Sequence, residues 1–510
     1  MNDGEEVEGD ENAARDRETT RERWAPTAPG DRSVNVTDGR LFVPLVVLSA
    51  PVVVAYTLDI VYYVVDLYWI GYLGTDAVAA MSYSWPILFL FTSLGIGITT
   101  AGTVLVAQNK GAGRLARSHH VAGQTLSVVS VLSVAIAAFG YLLAPWMLAL
   151  IGATPGSDPH TMAVSYTRIT FLGMVPIFWF FVFDALSRGW GDTRTPLYLM
   201  AASVGVNVVL DPFVILGFAG NPVFGWFGVE ALGTTLYERT GFDGYGIEGA
   251  ALASVFSRTL AALVALSLLF SGAIGLRVDP SELRPNRESV AEIVEIGVPT
   301  SLEMGLRASG VTVMTAIVAL EGDTAIAAYG ISEYLAALLL VPAIGLARGT
   351  ETVVGQNLGA GQTRRAKHAV YMSAAIVATA FVVVVAAAYP VAESIVGLFV
   401  SAEPGSNAAA EVVRIGSAFV WIIGPTYVFY GVFQVVLGAF RGSGHTRLAL
   451  AFAVMELWAV RLPLSVAALL WVDAGVIGIW YAFAASYVLS TLVTAAWFLR
   501  GTWTIPVVGR

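Results

Sequence analysis

Acidic side chains within long apolar stretches are the residues of this sequence that could do chemistry. One stretch contains Asp59 and Asp66, another contains Asp184, and the next contains Asn207 and Asp211. Ionisable groups cost free energy in a hydrocarbon environment, so the positions that keep them are functional candidates. Two neighbouring carboxylates at low dielectric cannot both stay charged without a proton or a cation, and their oxygens suit hard cations. The pattern predicts a site that loads and releases H⁺ or Na⁺.

The spacing of these residues predicts that they converge. Asp59 and Asp66 are seven residues apart and Asn207 and Asp211 are four apart, so each pair shares one face of a helix. Asp184 and Asn207 are equidistant from the turn between their two stretches. We therefore expect Asp184 and Asn207 to meet at one level, about a helical turn deeper than Asp211.

The depths of three side chains also agree. At about 1.5 Å per residue, Asp66, Asp211 and Ser254 lie roughly 9–12 Å below the same surface. A network that only locks the helices together remains an alternative. The predicted ion-coupling residues are Asp66, Asp211, Asn207, Asp184 and Ser254, and the metal ligands for Na⁺ would be Asp66, Asp211 and Asn207.

The composition indicates a membrane protein. Of 510 residues, 56% are apolar and 13% are charged, whereas a soluble protein has about 25% charged residues. A soluble enzyme is therefore excluded. The absence of cysteine excludes disulfides and thiol chemistry, and the net charge of −9 argues against nucleic acid as a partner.

Apolar stretches long enough to cross a bilayer recur along the chain, and lipid requires them to be helices. We count twelve, at residues 42–73, 78–106, 121–151, 162–187, 196–218, 246–274, 289–320, 325–354, 367–399, 410–440, 446–471 and 476–499. Arginines and lysines occupy alternate loops, which predicts a multi-pass protein of the plasma membrane with both termini in the cytoplasm. The predicted fold class is an all-α membrane protein.

The second half of the sequence repeats the first. Val106-Ala-Gln-Asn-Lys-Gly-Ala-Gly113 returns as Val354-Gly-Gln-Asn-Leu-Gly-Ala-Gly361, and Arg188-Gly-Trp-Gly-Asp-Thr-Arg194 returns as Arg441-Gly-Ser-Gly-His-Thr-Arg447. Each half holds six spans, so two pseudo-symmetric lobes of equal orientation are predicted. The predicted parts are a disordered acidic cytoplasmic tail (1–40), an N-terminal lobe with the cation site (41–274), a cytoplasmic linker (275–288), a C-terminal lobe (289–500) and a cytoplasmic tail (501–510).

These motifs carry a family resemblance over residues 41–500. Together with Val65-Asp-Leu-Tyr-Trp-Ile-Gly-Tyr-Leu-Gly74 and Asn207-Val-Val-Leu-Asp-Pro212, they make the chain similar to the multidrug and toxic compound extrusion (MATE) family. The Asn-x-x-x-Asp pair resembles the archaeal and bacterial DNA-damage-inducible branch. The resemblance implies cation-coupled export of organic, often cationic, compounds by alternating access. It also implies that Pro51 bends the first helix when the ion loads at Asp66, with a static kink as the alternative.

The other charged residues within the spans give weaker indications of function. At the repeat offset Asp66 corresponds to Met314, and Asp211 falls near Leu462, so the ion cluster is predicted in the first lobe alone. Glu303 precedes Arg307 by one turn, which favours an ion pair over a transport role. Arg258, one turn from Ser254, could neutralise Asp184 or Asp211. The residues predicted to line a substrate cavity are Asp59, Tyr62 and Glu333.

Two rival functions are weaker. A lipid-linked oligosaccharide flippase of the same wider superfamily would need a more basic cavity. An intramembrane enzyme would need a catalytic set inside the spans, whereas all five histidines lie in or next to loops, so no enzymatic activity is expected. We expect a monomer that handles small organic substrates among membrane lipids, with no cofactor besides the coupling ion. The long connection 218–245 is a lid or an insertion.

Overall fold

The computed structural model describes residues 32–400, 407–472 and 474–507, and this part of the chain contains helices and no strand. Eleven of its helices are long and apolar enough to cross a membrane, and one bent pair adds a twelfth. Numbered in chain order, spans 1 to 12 are Phe42–Gly71, Thr75–Gly111, Leu115–Leu150, Asp158–Leu172 with Met174–Trp190, Arg194–Leu216, Gly246–Ser271, Arg287–Ala319, Asp323–Gly359, Thr363–Gly397, Ala408–Gly442, Thr446–Leu470 and Gly475–Arg500. The all-α fold with up to twelve spans is confirmed.

Span 4 is the bent pair, with an angle of 48° between its halves. The break is at Gly173, where a Cβ atom would overlap the side chain of Val255 in span 6. Glycine therefore allows spans 4 and 6 to approach closely at this point. The bend lies outside the second half of the span, Met174–Trp190, which carries Asp184 as a regular helix.

The spans form two large buried apolar cores, besides two smaller clusters. One cluster extends along the chain from Trp69 to Ile296, and the other extends from Met314 to Trp503. Ile293 and Ile296 belong to the first cluster although they lie in span 7. The first turns of span 7 pack against span 2. Side chains of the predicted second lobe therefore contribute to the core of the first lobe.

The predicted linker is docked on the first lobe. The Gln124 side chain of span 3 donates to the carbonyl oxygens of Glu282 and Arg284 at 2.6 and 2.7 Å, and it accepts from the Asn286 amide at 2.7 Å. Leu276 is fully buried in the first core. These bonds satisfy backbone groups that a free loop would leave to water.

The two halves of the chain meet through their repeated motifs. Gln108 Nε2 donates to the Gly442 carbonyl at 3.0 Å, and its counterpart Gln356 donates to the Gly189 carbonyl at 2.9 Å. A Cβ atom on Gly111 would overlap the backbone of Gln356, and one on Gly359 would overlap that of Gln108. The glycines of both motifs therefore allow backbone-to-backbone contact between the lobes.

The described chain begins and ends on the side of the molecule where these motifs meet, which we call the terminal face. The Val36 carbonyl accepts from Asn357 Nδ2, and the Val507 amide donates to Gln108 Oε1. Further glycine contacts between the lobes, Gly97 against Ser301 and Gly345 against Val53, lie in the same half of the spans. The lobes are thus closed against each other at the terminal face.

Residues 32–40 differ from the predicted disordered tail, which was expected to extend to residue 40. Val36 is fully buried beside Leu41, Leu45 and Val353. The Arg365 side chain donates to the carbonyls of Val36, Gly39 and Asp38 at 3.0, 2.8 and 2.7 Å. Composition misled the prediction, because this segment is held through its backbone carbonyls. The rest of the predicted tail, residues 1–31, lies outside the described residues.

The connection between spans 5 and 6 is folded. It contains the short helices Pro222–Trp226 and Glu230–Thr240. Asn221 Nδ2 donates to the carbonyls of Pro212 and Gly217, both at 2.7 Å. The ring of Trp226 lies 5.4 Å from that of Trp69. This segment therefore covers the ends of spans 1 and 5 on the side opposite the terminal face.

Candidate ion-coupling site

Four of the five predicted coupling residues come together between spans 1, 5 and 6. Ser254 Oγ donates to Asp66 Oδ2 at 3.2 Å, and Asn207 Nδ2 donates to Asp211 Oδ1 at 2.8 Å. The carboxyl groups of Asp66 and Asp211 lie within hydrogen-bonding reach of each other. Asn207 and Asp211 are fully buried, and Asp66 is 1% exposed. The spacing of seven and four residues thus places these groups in one compact acidic cluster.

The oxygen atoms of this cluster outnumber its donors. Asp66 Oδ1, Asn207 Oδ1 and Asp211 Oδ2 are buried and receive no hydrogen bond from the described protein atoms. Ionised carboxylates only accept hydrogen bonds, so a bond between Asp66 and Asp211 requires a proton on one of them. Buried acceptors without a partner are costly. The arrangement therefore fits a proton shared by the two carboxyl groups, or a hard cation held by the free oxygens.

The backbone brings span 6 close to span 5 beside this cluster. A Cβ atom on Gly249 would overlap the carbonyl of Val214, and the Tyr245 amide donates to that same carbonyl at 2.8 Å. Pro212 follows Asp211 directly and has no amide hydrogen, so it frees a carbonyl one turn earlier in the helix. The Asn221 side chain bonds the Pro212 carbonyl, which fixes the end of span 5 above Asp211.

Asp184 is not part of the cluster. Its carboxylate pairs with Arg188, one turn later in span 4, and the prediction that it meets Asn207 is wrong. Counting residues from a turn gives depth along a helix but no direction around it. Asp184 points along its own helix to a buried arginine that lies at the interface between the lobes, where the Arg188 carbonyl accepts from Thr352.

Arg258 also takes a partner other than those predicted. Its Nη2 atom bonds Asp59 Oδ1 at 2.7 Å, instead of Asp184 or Asp211. The Tyr62 ring lies 5.0 Å from this guanidinium group and is 6% exposed among Phe180 and other buried side chains. Arg258 therefore contacts both Asp59 and Tyr62 inside the first lobe, and the Asp59 side chain stays 36% exposed. That the two residues line a substrate cavity stays a prediction.

The positions in the second lobe that correspond to the acidic cluster are apolar. Met314 is 1% exposed and Leu462 is 7% exposed, and both belong to the second core. Glu303 lies 3.6 Å from Arg307 and 3.3 Å from Arg441. The predicted Glu303–Arg307 ion pair is confirmed, and Arg441 extends it.

Glu333 of span 8 is partly buried. Its carboxylate lies within hydrogen-bonding reach of the Tyr329 hydroxyl one turn earlier, and Arg461 is near enough to act on it electrostatically. A single carboxylate next to a phenol ring can bind an organic cation. Glu333 therefore remains a candidate for contact with a cationic compound.

Two buried ion pairs were not predicted from the sequence. Arg348 Nη1 lies 3.1 Å from Glu351 Oε2 at the interface between the lobes, and Arg461 pairs with Glu456 in a π-helical turn of span 11. The signal was present for Arg348 and Glu351, since opposite charges three residues apart predict a pair on one helix face. Glu456 and Arg461 are five residues apart, and they meet because this turn is π-helical.

A cavity of about 730 Å³ lies at the terminal face, away from the acidic cluster. Charged side chains of spans 3, 7 and 11 line it, with ion pairs of 3.2 Å between Arg117 and Glu292 and 3.3 Å between Arg447 and Glu295. The first of these pairs connects the two lobes, so this cavity belongs to the closed terminal face.

Comparison with known proteins gives one family. A family model described as MatE matches residues 51–213 and 299–467. The chain is 27% identical to the probable multidrug resistance protein YoeA of Bacillus subtilis over 84% of this chain and 86% of that protein. It is 25% identical to the multidrug export protein MepA of Staphylococcus aureus over 79% and 83% of the two chains.

The fold matches solved transporters. A MOP superfamily transporter from Pyrococcus furiosus superimposes with a TM-score of 0.81 at 20% identity, covering 93% of this chain and 99% of that one. An outward-facing MATE family multidrug resistance transporter gives a TM-score of 0.80 at 19% identity, covering 93% and 98%. At these identities the likeness concerns the fold.

Proposed function

The chain belongs to the MATE family, and on that premise we propose that it exports organic compounds across the membrane in exchange for H⁺ or Na⁺. The relatives named for multidrug resistance and multidrug export support compound export. The acidic cluster of span 1 and span 5 supports the exchange for a cation, and it is the observation that carries this proposal.

The coupling residues in this proposal are Asp66, Asp211, Asn207 and Ser254. A proton or cation that binds between Asp66 and Asp211 removes the repulsion between their charges and draws span 1 against spans 5 and 6. When the ion leaves, two buried carboxylates face each other and span 1 is pushed away. Ion occupancy therefore sets the position of span 1 relative to the rest of its lobe.

Span 1 can pass this movement on because it also touches the second lobe. Gly345 and Gly349 of span 8 lie directly against Val53 and Ser49, on either side of Pro51. Proline removes one helical hydrogen bond and makes this part of span 1 the easiest to bend. We propose that bending at Pro51 changes this contact, and that the lobes then rock between states open to either side.

The charges of the loops support one direction of transport. The terminal face carries the arginine-rich loops, which supports a cytoplasmic location for this face. Because the lobes are closed at that face, we propose that ions reach the cluster from outside. An ion that favours this state drives the release of cargo to the exterior. Cationic or amphipathic cargo suits Glu333 in the second lobe.

Transport by the purified protein in lipid vesicles tests the proposal. An H⁺ gradient and a Na⁺ gradient are imposed in separate experiments, and the movement of a fluorescent organic cation such as ethidium is recorded. One of the two gradients should drive the dye against its own concentration gradient. Dye movement that ignores both gradients in correctly reconstituted protein would contradict the proposal.

A further inference from the structure

The most informative charge outside the acidic cluster is Arg258. Its side chain is 9% exposed, it lies in span 6 one turn from Ser254, and it pairs with Asp59 of span 1. Span 6 runs toward the terminal face, so Arg258 is one turn nearer that face than Ser254. Asp59 precedes Asp66 by two turns in span 1, which runs away from the terminal face. Asp59 is therefore nearer to the terminal face than Asp66.

The guanidinium group lies among side chains from four helices of the first lobe. Span 1 contributes the ring of Tyr62 at 5.0 Å, and span 4 contributes that of Phe180 at 5.9 Å. The Met200 sulfur of span 5 lies 2.8 Å from Nη1. Ala261 and Ala262 of span 6 complete this buried layer. The layer lies between the acidic cluster and the terminal face.

The two charged groups of this layer, Arg258 and Asp59, are buried to different extents. The Asp59 side chain is 36% exposed, whereas the Arg258 side chain is only 9% exposed. A charge at low dielectric acts more strongly than one in contact with water. Arg258 therefore places its positive charge in the buried part of this layer next to the ion cluster, and arginines that line a pore exclude cations.

We infer that Arg258 is a barrier that prevents the coupling ion from leaking from the acidic cluster to the terminal face through the interior of the first lobe. The inference rests on the proposed ion-coupled export. An ion bound at Asp66 is then released toward the terminal face only when the lobes change state, and transport of cargo and ion stays coupled. Asp59 keeps the guanidinium group in place and is a positioning residue.

Ion leak in the absence of cargo tests this inference. The full-length protein is reconstituted into vesicles containing a trapped pH dye, a pH gradient is imposed, and its decay is followed; radioactive Na⁺ uptake is measured in parallel. The charge-balanced double variant Arg258→Met with Asp59→Asn should dissipate one of the two gradients at least about tenfold faster than the wild type, because the positive charge is gone. Arg258→Lys retains the charge and should stay within about twofold of the wild type.

The second lobe offers a matched control. Arg461 is also buried and paired with Glu456, and it lies over the rings of Phe483 and Tyr487 at 4.4 and 4.7 Å. Arg461→Met with Glu456→Gln removes the same chemistry from the second lobe, whose equivalents of the coupling acids are Met314 and Leu462. This variant should not leak. If it leaks as fast as the Arg258 variant, loosened packing explains the leak and the inference fails.

A third variant separates the ion path from a general defect. Adding Asp66→Asn to the leaking double variant should reduce the leak toward the wild-type rate, because the ion passes through the cluster.

If Arg258→Met with Asp59→Asn cannot be reconstituted, Arg258→Gln with Asp59→Asn keeps a polar side chain and carries the same expectation. Charge-balanced variants as tight as the wild type would overturn the inference, whereas gradient-driven export by Asp66→Asn alone would overturn the proposed function.

Discussion

Thr100 and Arg348 hold equivalent positions in the two halves of the chain, 248 residues apart, and they meet at the interface: Arg348 Nη1 lies 3.5 Å from Thr100 Oγ1. Two residues related by a twofold axis touch each other only when they lie beside that axis. The pseudo-twofold axis therefore passes between spans 2 and 8. The paired contacts of Gln108 and Gln356 lie around the same axis at the terminal face.

The glycines of the repeated motifs give the first prediction. Gly111→Leu places a side chain against the Gln356 backbone and should wedge the lobes apart at the terminal face. The chain has no cysteine, so a single Thr352→Cys can report on this interface with a maleimide. We expect labelling to be about tenfold faster in Gly111→Leu than in the wild-type background.

Gly330→Leu is the matched control for this wedge. Gly330 lies in a helix, and an added Cβ atom there would meet nothing within 4 Å besides the backbone of its own helix. Its labelling rate should equal that of the parent protein. Equal labelling of Gly111→Leu and Gly330→Leu would show that the terminal face is not closed by these glycines.

The segment before span 1 gives the second prediction. Arg365→Met removes the donor that binds the carbonyls of Val36, Asp38 and Gly39. Trypsin should then cleave after Arg40 about fivefold faster, since local opening of this segment costs less free energy. Arg364→Met, at the exposed neighbouring position, serves as control, and an unchanged cleavage rate in Arg365→Met would count against the packed segment.

Asp184 should behave differently from the residues of the acidic cluster. Asp184→Asn leaves the buried Arg188 without its carboxylate and should lower the free energy of unfolding by about 1–3 kcal/mol, since the carboxylate is partly exposed. Gradient-driven export should persist. Thermal unfolding and vesicle transport measure the two effects. If Asp184→Asn lost gradient-driven export at unchanged thermal stability, Asp184 would have to be a coupling residue.

The folded connection between spans 5 and 6 yields a fourth prediction. Asn221→Ala removes two hydrogen bonds from buried carbonyls, each worth about 1 kcal/mol. Amide hydrogen exchange of residues 218–245 should become about tenfold faster, with spans 7 to 12 unaffected. Thr234→Ala, an exposed change in the same segment, should leave exchange as it is. Unchanged exchange in Asn221→Ala would mean that other contacts hold this segment.

The periodicity of the sequence predicted the spans and most of the acidic cluster. The same physical reasons explain which predictions were wrong. Apolar length fixes the spans because lipid permits little besides helices, and helical periodicity brought Asp66, Asp211, Asn207 and Ser254 together. Depth along a helix carries no direction around it, so Asp184 was misplaced. Residues 32–40 could not be foreseen as ordered, since Arg365 binds carbonyl oxygens that every residue type carries.

In the proposed mechanism the coupling ion is bound and released at Asp66. Asp66→Asn keeps the shape of the side chain and removes its charge, so the protein should insert and unfold like the wild type. In vesicles with an imposed H⁺ or Na⁺ gradient, accumulation of the organic cation against its own gradient should fall to the level of protein-free vesicles. Accumulation by Asp66→Asn at the wild-type rate would contradict ion coupling at Asp66.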